Sequence, residues 1–200
     1  MANAGKRSKF SLIVFLVGLL VLGVAVIFQI RGISQGNRVN AGIGGPFTMV
    51  NQNGETVTDK NFLGKTHLIF FGFTHCPDIC PTKLFEMSEV FRELGPDSNK
   101  IDALFVSVDP ERDTPQALKD YLSSFDENIT GLTGSREQVD AIIKAYRVYA
   151  RKVPSGDGPN DYTMDHTALV YLMDKNGQFI NAFNLDRTPT ESAKELRGFL

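Results

Sequence analysis

Apolar and polar positions divide this chain into three textures. Phe10 to Ile30 is a run of 21 residues without charge, with Ser11 and Gln29 as its clearly polar members. Residues 31–46 then turn to asparagine, glutamine, serine and five glycines (Gly32, Gly36, Gly42, Gly44 and Gly45), ending at Pro46. From Phe47 onward, short apolar runs alternate with amphipathic stretches, as in a layered globular domain.

The first texture predicts a membrane span. As a helix, residues 10–30 would reach about 31 Å at ~1.5 Å per residue, matching a hydrocarbon core of about 30 Å. Lys6, Arg7 and Lys9 precede it, so residues 1–9 are expected to stay in the cytoplasm and the remainder to be exported. Arg31 and Arg38 on the far side keep that charge bias small. The run exceeds the roughly 7–15 apolar residues of a signal peptide, and Phe28-Gln29-Ile30-Arg31 does not resemble a small-residue cleavage site. The expectation is a retained anchor, a flexible tether over residues 31–46 and a domain over residues 47–200. Nine residues before the span leave no room for an arginine-rich mitochondrial presequence, which points to a bacterial inner membrane with the domain in the periplasm.

Within the domain, Phe47–Val50 and Glu55–Thr58 flank Asn53-Gly54, a hairpin signal. Leu68–Phe71 reads as a buried strand that breaks at Gly72. Leu84, Met87, Phe91 and Leu94 recur at helical spacing up to Gly95-Pro96, with Pro81 suited to the first turn. Ile101–Val108 is a second buried strand, Asp109–Pro115 a charged loop, and Leu118, Tyr121, Leu122 and Phe125 mark a further helix. Ile129–Leu132 is a short strand, and Ser135 with Gln138 forms a capping box before Val139, Ile142, Ile143 and Tyr146. Tyr146–Val153 fits either a helix end or a strand, and Pro154–Tyr162 reads as an exposed polar loop. Thr167–Met173 and Gln178–Phe183 make a hairpin, and Thr188-Pro189-Thr190-Glu191 caps a final helix. There are no internal repeats. Alternating strands and helices, then a hairpin and a helix, predict an α/β fold: a thioredoxin-like three-layer domain with an added β-hairpin, preceded by one transmembrane helix.

Charge narrows the partners. Five of the 21 basic residues lie in the first 40 positions and no acidic residue precedes Glu55. Residues 41–200 therefore carry 16 basic against 23 acidic side chains, a net charge of −7. Such a domain is a poor match for nucleic acid.

The chemistry centres on Cys76-Pro77-Asp78-Ile79-Cys80-Pro81, which holds both cysteines of the chain. In an exported domain two cysteines ordinarily form a structural disulfide. A bridge from 76 to 80 closes too short a loop to constrain the unfolded chain much, so the spacing points to function. At the start of a helix, positions four apart share a face about 6 Å apart along the axis. A metal or a disulfide spans that separation. The positive end of the helix favours thiolate, which is both nucleophile and soft ligand. Three intervening residues, where thioredoxin-type exchange uses two, leave redox and metal chemistry both open. A third donor would have to come from His67, His75 or His166. His67 opens a strand and reads as a half-buried polar residue. His75 adjoins Cys76, but neighbours in extended backbone point to opposite faces. His166 follows Met164-Asp165 between a polar loop and a strand, where a ligand and a structural hydrogen-bonding residue look alike. Asp78 reads equally as a helix cap and as a group supporting the ligands, Asp109 and Asp113 as loop-shaping and capping residues, and Met164 as an ordinary loop or core methionine.

Three motifs, in this order, carry a family resemblance: Cys76-Pro77-Asp78-Ile79-Cys80-Pro81, then Val106-Ser107-Val108-Asp109-Pro110-Glu111-Arg112-Asp113-Thr114-Pro115, then Asp165-His166-Thr167 before an apolar strand. The chain resembles the Sco/SenC family. The resemblance implies a thioredoxin-like fold and a copper site, Cu(I) with Cu(II) as a second state, made by Cys76, Cys80 and His166. It implies a membrane-anchored metallochaperone for the copper A site of cytochrome c oxidase subunit II, served by a copper donor protein. The alternative is a thiol-disulfide reductase in which Cys76 and Cys80 form the redox pair and keep the copper A cysteines reduced. A minor alternative is a thioredoxin-like peroxidase. Two thiolates and an imidazole suit Cu(I), whereas a closed structural zinc site wants a fourth donor.

Overall fold

The structure is a computed structural model and describes residues 42–158 and 161–200. The anchor expected over residues 10–30 and most of the tether lie outside the described residues. Among the described residues no helix is long and apolar enough to cross a membrane.

Seven strands form one sheet. β1 (Thr48–Asn51) and β2 (Thr56–Thr58) are the predicted Asn53-Gly54 hairpin, with Thr48 opposite Thr58. The Asn51 side-chain oxygen fastens the turn by accepting from the Asn53 and Glu55 amides. β3 (Thr66–Gly72), β4 (Ile101–Ser107) and β5 (Ile129–Thr133) are parallel, while β8 (Val170–Met173) and β9 (Phe179–Phe183) close the sheet as an antiparallel hairpin. The order is β2-β1-β5-β4-β3-β8-β9, which places β3 and β4 near the centre. Both are buried along nearly their whole length, as uninterrupted apolar runs in a covered parallel sheet should be.

The helices cover both faces. Helix α1 (Ile79–Leu94) follows β3, α2 (Pro115–Leu122) follows β4, α3 (Arg136–Ala145) follows β5 and α4 (Pro189–Arg197) ends the chain. One face carries Phe70, Phe105 and Gly131 in register. A Cβ at Gly131 would meet Leu122 and Leu118 of α2. On the same face, one at Gly72 would meet Cys80 of α1. The opposite face carries Phe71, whose ring lies 5.5 Å from Tyr146 at the end of α3. The α4 side joins α1 through Arg197, which donates to the Glu93 carbonyl at 2.8 Å. Both predicted capping boxes are present, at Ser135 with Gln138 and at Thr188 with Glu191.

Three details depart from expectation. The Gly44 amide donates to the Ala145 carbonyl at 2.9 Å, so chain before Phe47 already packs on the domain. Helix α2 stops at Leu122, leaving Phe125 outside it with its ring tilted against Tyr121 at 5.5 Å. The third matters most. β6 (Ala150–Pro154) and β7 (Tyr162–His166) pair as a separate two-stranded sheet, from Ala150 opposite His166 to Pro154 opposite Tyr162. His166 therefore ends a strand instead of leaving a loop. Arg151 and Lys152 are both exposed, so β6 lacks a strand's alternation, whereas β7 keeps it, with Met164 buried between exposed Thr163 and Asp165.

Candidate metal centre

The parallel pairing of β3 with β4 runs in register from Thr66 opposite Ile101 to Gly72 opposite Ser107. The Val108 amide then donates to the Gly72 carbonyl at 2.8 Å. The turn after β3 and the loop after β4 thus leave the sheet together at its carboxyl edge, where open α/β sheets place their ligands.

Cys76 lies in that turn, its amide donating to the Phe73 carbonyl at 3.2 Å, and Cys80 lies in the first turn of α1. The Cys80 amide donates to Cys76 Sγ at 3.4 Å. The sulfur takes the place of a capping oxygen at a helix start, where amides have no partner inside the helix. Asp78 stands at the N-cap position, yet its exposed side chain makes no capping bond; that expected role is not realised. Both cysteines are free thiols, Cys76 half-buried and Cys80 buried.

Gly72 is why Cys80 reaches the sheet. A Cβ there would lie 2.8 Å from Cys80 Sγ and 2.6 Å from the Phe105 ring, closer than any side chain tolerates. Burial pushes the Cys80 thiol far above its ordinary range; the Phe73 backbone hydrogen bond opposes this and the neighbouring Cys76 adds to it. Without a bound cation, Cys80 is a neutral thiol.

His166 meets Cys80 directly, with Nε2 3.8 Å from Sγ. Its Nδ1 lies 3.0 Å from the Thr167 carbonyl. A carbonyl only accepts, so in the neutral ring Nδ1 carries the proton and Nε2 turns its lone pair toward the sulfur. The ring is held by aromatic edges, 5.8 Å from Phe73 at 89° and 6.3 Å from Phe70. Cys80 Sγ and His166 Nε2 stand close enough that the two would hold one soft ion together, the sulfur as thiolate and the imidazole through its lone pair. Cys76 faces the Cys80 amide. Among the described residues no three histidine, cysteine or acidic side chains stand close enough together to hold a metal ion, so Cys76 would have to swing toward the Cys80–His166 pair to join them.

The other candidates lie elsewhere. His67 is buried near the start of β3, five residues or about 16 Å from Gly72. His75 is exposed, its Nδ1 3.0 Å from Thr74 Oγ1. Met164 is buried with the core. Asp109 and Asp113 are wholly buried and shape the loop as expected, but Thr114 caps α2, its side chain accepting from the Ala117 amide. The Asp113 carboxylate accepts from the Thr74 amide at 3.2 Å, Thr74 Oγ1 at 2.6 Å and Ser107 Oγ at 2.6 Å. It ties the turn leading to Cys76 onto β4. Asp109 pairs with Arg112 and accepts from the Tyr162 hydroxyl at 2.8 Å, tying the same loop to the start of the His166 strand. Neither tie is visible in sequence spacing, because the partners lie 39 and 53 residues away.

The sequence model of the SCO1/SenC family matches residues 35–200. The human mitochondrial SCO1 homolog is 43% identical over 156 residues, covering 77% of this chain and 52% of the human protein. The chain thus spans about half the length of the human and mouse relatives that it matches. The structure of Bradyrhizobium japonicum ScoI with copper bound is 59% identical, with a TM-score of 0.76 over 79% of this chain and 99% of that one. BsSco, described as a member of the Sco family of cytochrome c oxidase assembly proteins and as having a disulfide switch, is 27% identical, with a TM-score of 0.61 over 78% of this chain and 92% of that one. These likenesses establish a mixed α/β fold of the Sco thioredoxin-like type. By the family match over residues 35–200 and these relatives, the chain belongs to the SCO1/SenC family.

Proposed function

We propose that this protein is a metallochaperone that carries Cu(I) on Cys76, Cys80 and His166 and passes it to the dinuclear copper A site of cytochrome c oxidase subunit II. The observation that carries this reading is the 3.8 Å approach of His166 Nε2 to Cys80 Sγ, beside the sulfur of Cys76. Two sulfurs and an imidazole are a soft donor set of the kind that selects Cu(I). The copper in the 59% identical Bradyrhizobium structure supports the same cargo here. Loading would displace the Cys80 proton, and the half-buried Cys76 would be the sulfur an incoming donor or acceptor meets first. The apolar run over residues 10–30 would hold the domain at a bacterial inner membrane, on its periplasmic side.

The test is transfer. Copper-loaded protein mixed anaerobically with the reduced, metal-free copper A domain should generate the charge-transfer absorption of an assembled dinuclear site. Copper that stays on this chain would refute the proposal.

The free thiols favour a second reading, reduction of the partner's disulfide. Cys76 thiolate would attack one partner sulfur and release the other. Cys80, losing its proton, would then displace the mixed disulfide, leaving a Cys76–Cys80 disulfide and a partner dithiol that has gained two electrons and two protons. Counting partner thiols after mixing with oxidised copper A domain decides this reading; an unchanged count excludes it.

A further inference from the structure

The hairpin that carries His166 shares no strand ladder with the seven-stranded sheet. A lone two-stranded hairpin is marginal in water, so its position depends on side-chain contacts, and at mid-strand Met164 is buried in the core. At the His166 end these are the aromatic edges of Phe73 and Phe70. The other end of β7 begins at Tyr162, about 13 Å away along the strand.

There, one side chain gathers the contacts. Arg112 Nε pairs with the buried Asp109 carboxylate, and Arg112 Nη1 donates to the Tyr162 carbonyl at 2.9 Å. The guanidinium lies 3.7 Å from the centre of the Tyr162 ring, while Lys152 Nζ lies 4.5 Å from it. The Tyr162 hydroxyl closes the circuit onto Asp109. The same guanidinium is 5.8 Å from the ring of Phe73, against which the imidazole of His166 stands. Its loop neighbour Asp113 holds Thr74, two residues before Cys76. Arg112 Nη2 is buried with no hydrogen-bond partner among the described residues, although buried donors are nearly always paired.

We infer that Arg112 is a positioning residue: by clamping Tyr162 against Asp109 it sets where the far end of the same strand holds His166 relative to Cys76 and Cys80. This rests on the copper-binding reading for its consequence, though not for the clamp itself. Lysine cannot replace arginine, because one ammonium cannot reach carboxylate and carbonyl while stacking flat on the ring.

The test uses the full chain, with hydrogen–deuterium exchange followed by mass spectrometry beside competition for Cu(I) against a chromophoric chelator. Arg112→Met should speed amide exchange across residues 150–154 and 162–166 by about tenfold or more, with β4 unchanged. It should weaken Cu(I) binding by about 10–100-fold, as losing a partner behind a metal ligand does. Arg112→Lys should resemble Arg112→Met. Hairpin exchange or copper affinity equal to the parent's in either variant would overturn the inference. Should β4 exchange also accelerate in Arg112→Met, showing a general loss of fold, Arg112→Lys decides. It keeps a cation beside Asp109 without the second donor to the Tyr162 carbonyl, and parent-like hairpin exchange there would overturn the clamp. A parent chain that binds no Cu(I) would defeat the proposed function, while the exchange comparison would still test the clamp.

Discussion

The sulfur of Cys76 accepts the amide proton of Cys80 at 3.4 Å, so the first cysteine caps the helix that presents the second. The pair is coupled through backbone before any metal or disulfide joins it. Replacing a capping acceptor by alanine typically costs about 1 kcal/mol. Cys76→Ala should lose about that much stability in urea unfolding, whereas Cys76→Ser, which keeps an acceptor, should lose less. Equal losses would show that the sulfur does not act as a cap.

The two thiols should differ in reactivity. Cys76 is half-buried, whereas burial both hides Cys80 and holds it protonated. Only thiolate alkylates, so iodoacetamide at mildly alkaline pH should label Cys76 at least about tenfold faster than Cys80. Peptide mass spectrometry reads the ratio directly, and a reversed order would contradict the arrangement.

Gly72 predicts a steric effect. An added methyl at 2.8 Å from Cys80 Sγ and 2.6 Å from the Phe105 ring forces one of them aside. Gly72→Ala should cost about 1–3 kcal/mol, the range for overpacking a filled core. It should also increase alkylation of Cys80, because the added methyl pushes on that sulfur's buried seat. An unfolding midpoint equal to the parent's would count against the close packing.

Asp113 is the anchor of the Cys76 turn. Asp113→Ala leaves the Thr74 amide and the Ser107 hydroxyl without their acceptor, at a cost of about 3 kcal/mol. Asp113→Asn keeps one acceptor oxygen and should cost less. Chemical denaturation of both variants checks the order.

His67 supplies a pH dependence away from the site. Burial lowers its pKa below 6.5, against the opposing pull of the Lys65 carbonyl and the Asp102 and Asp174 carboxylates. Between the folded pKa and 6.5 the unfolded chain binds the extra proton, so stability rises with pH across that window and falls as acid is added. One such group gives a slope of at most about 1.4 kcal/mol per pH unit. His67→Gln should flatten stability measured from pH 6.5 downward; an unchanged slope would show that other groups set it.

The covered strands, the Asn53-Gly54 turn and the capping boxes at Ser135 and Thr188 were legible because each rests on local spacing. The β6–β7 hairpin was not: Arg151 and Lys152 are both exposed, which breaks the strand period in β6, and its partner β7, which alternates from Tyr162 to His166, lies beyond a polar loop. Local logic offered Asp78 for the helix cap, equally with a role behind the ligands, where the structure uses a sulfur two positions earlier. His166 and Cys80 lie 86 residues apart, and no periodicity reports such a contact. Family resemblance singled out this histidine; the geometry adds its tautomer, its aromatic supports and the loop behind it.

In the proposed copper site His166 is the third donor beside the two cysteines. Anaerobic titration of the full chain with Cu(I), in competition with a chromophoric chelator, tests it most directly when parent and His166→Ala are compared. One Cu(I) should bind per parent chain, and the variant should bind at least about tenfold more weakly. A variant that holds Cu(I) as tightly as the parent would contradict it.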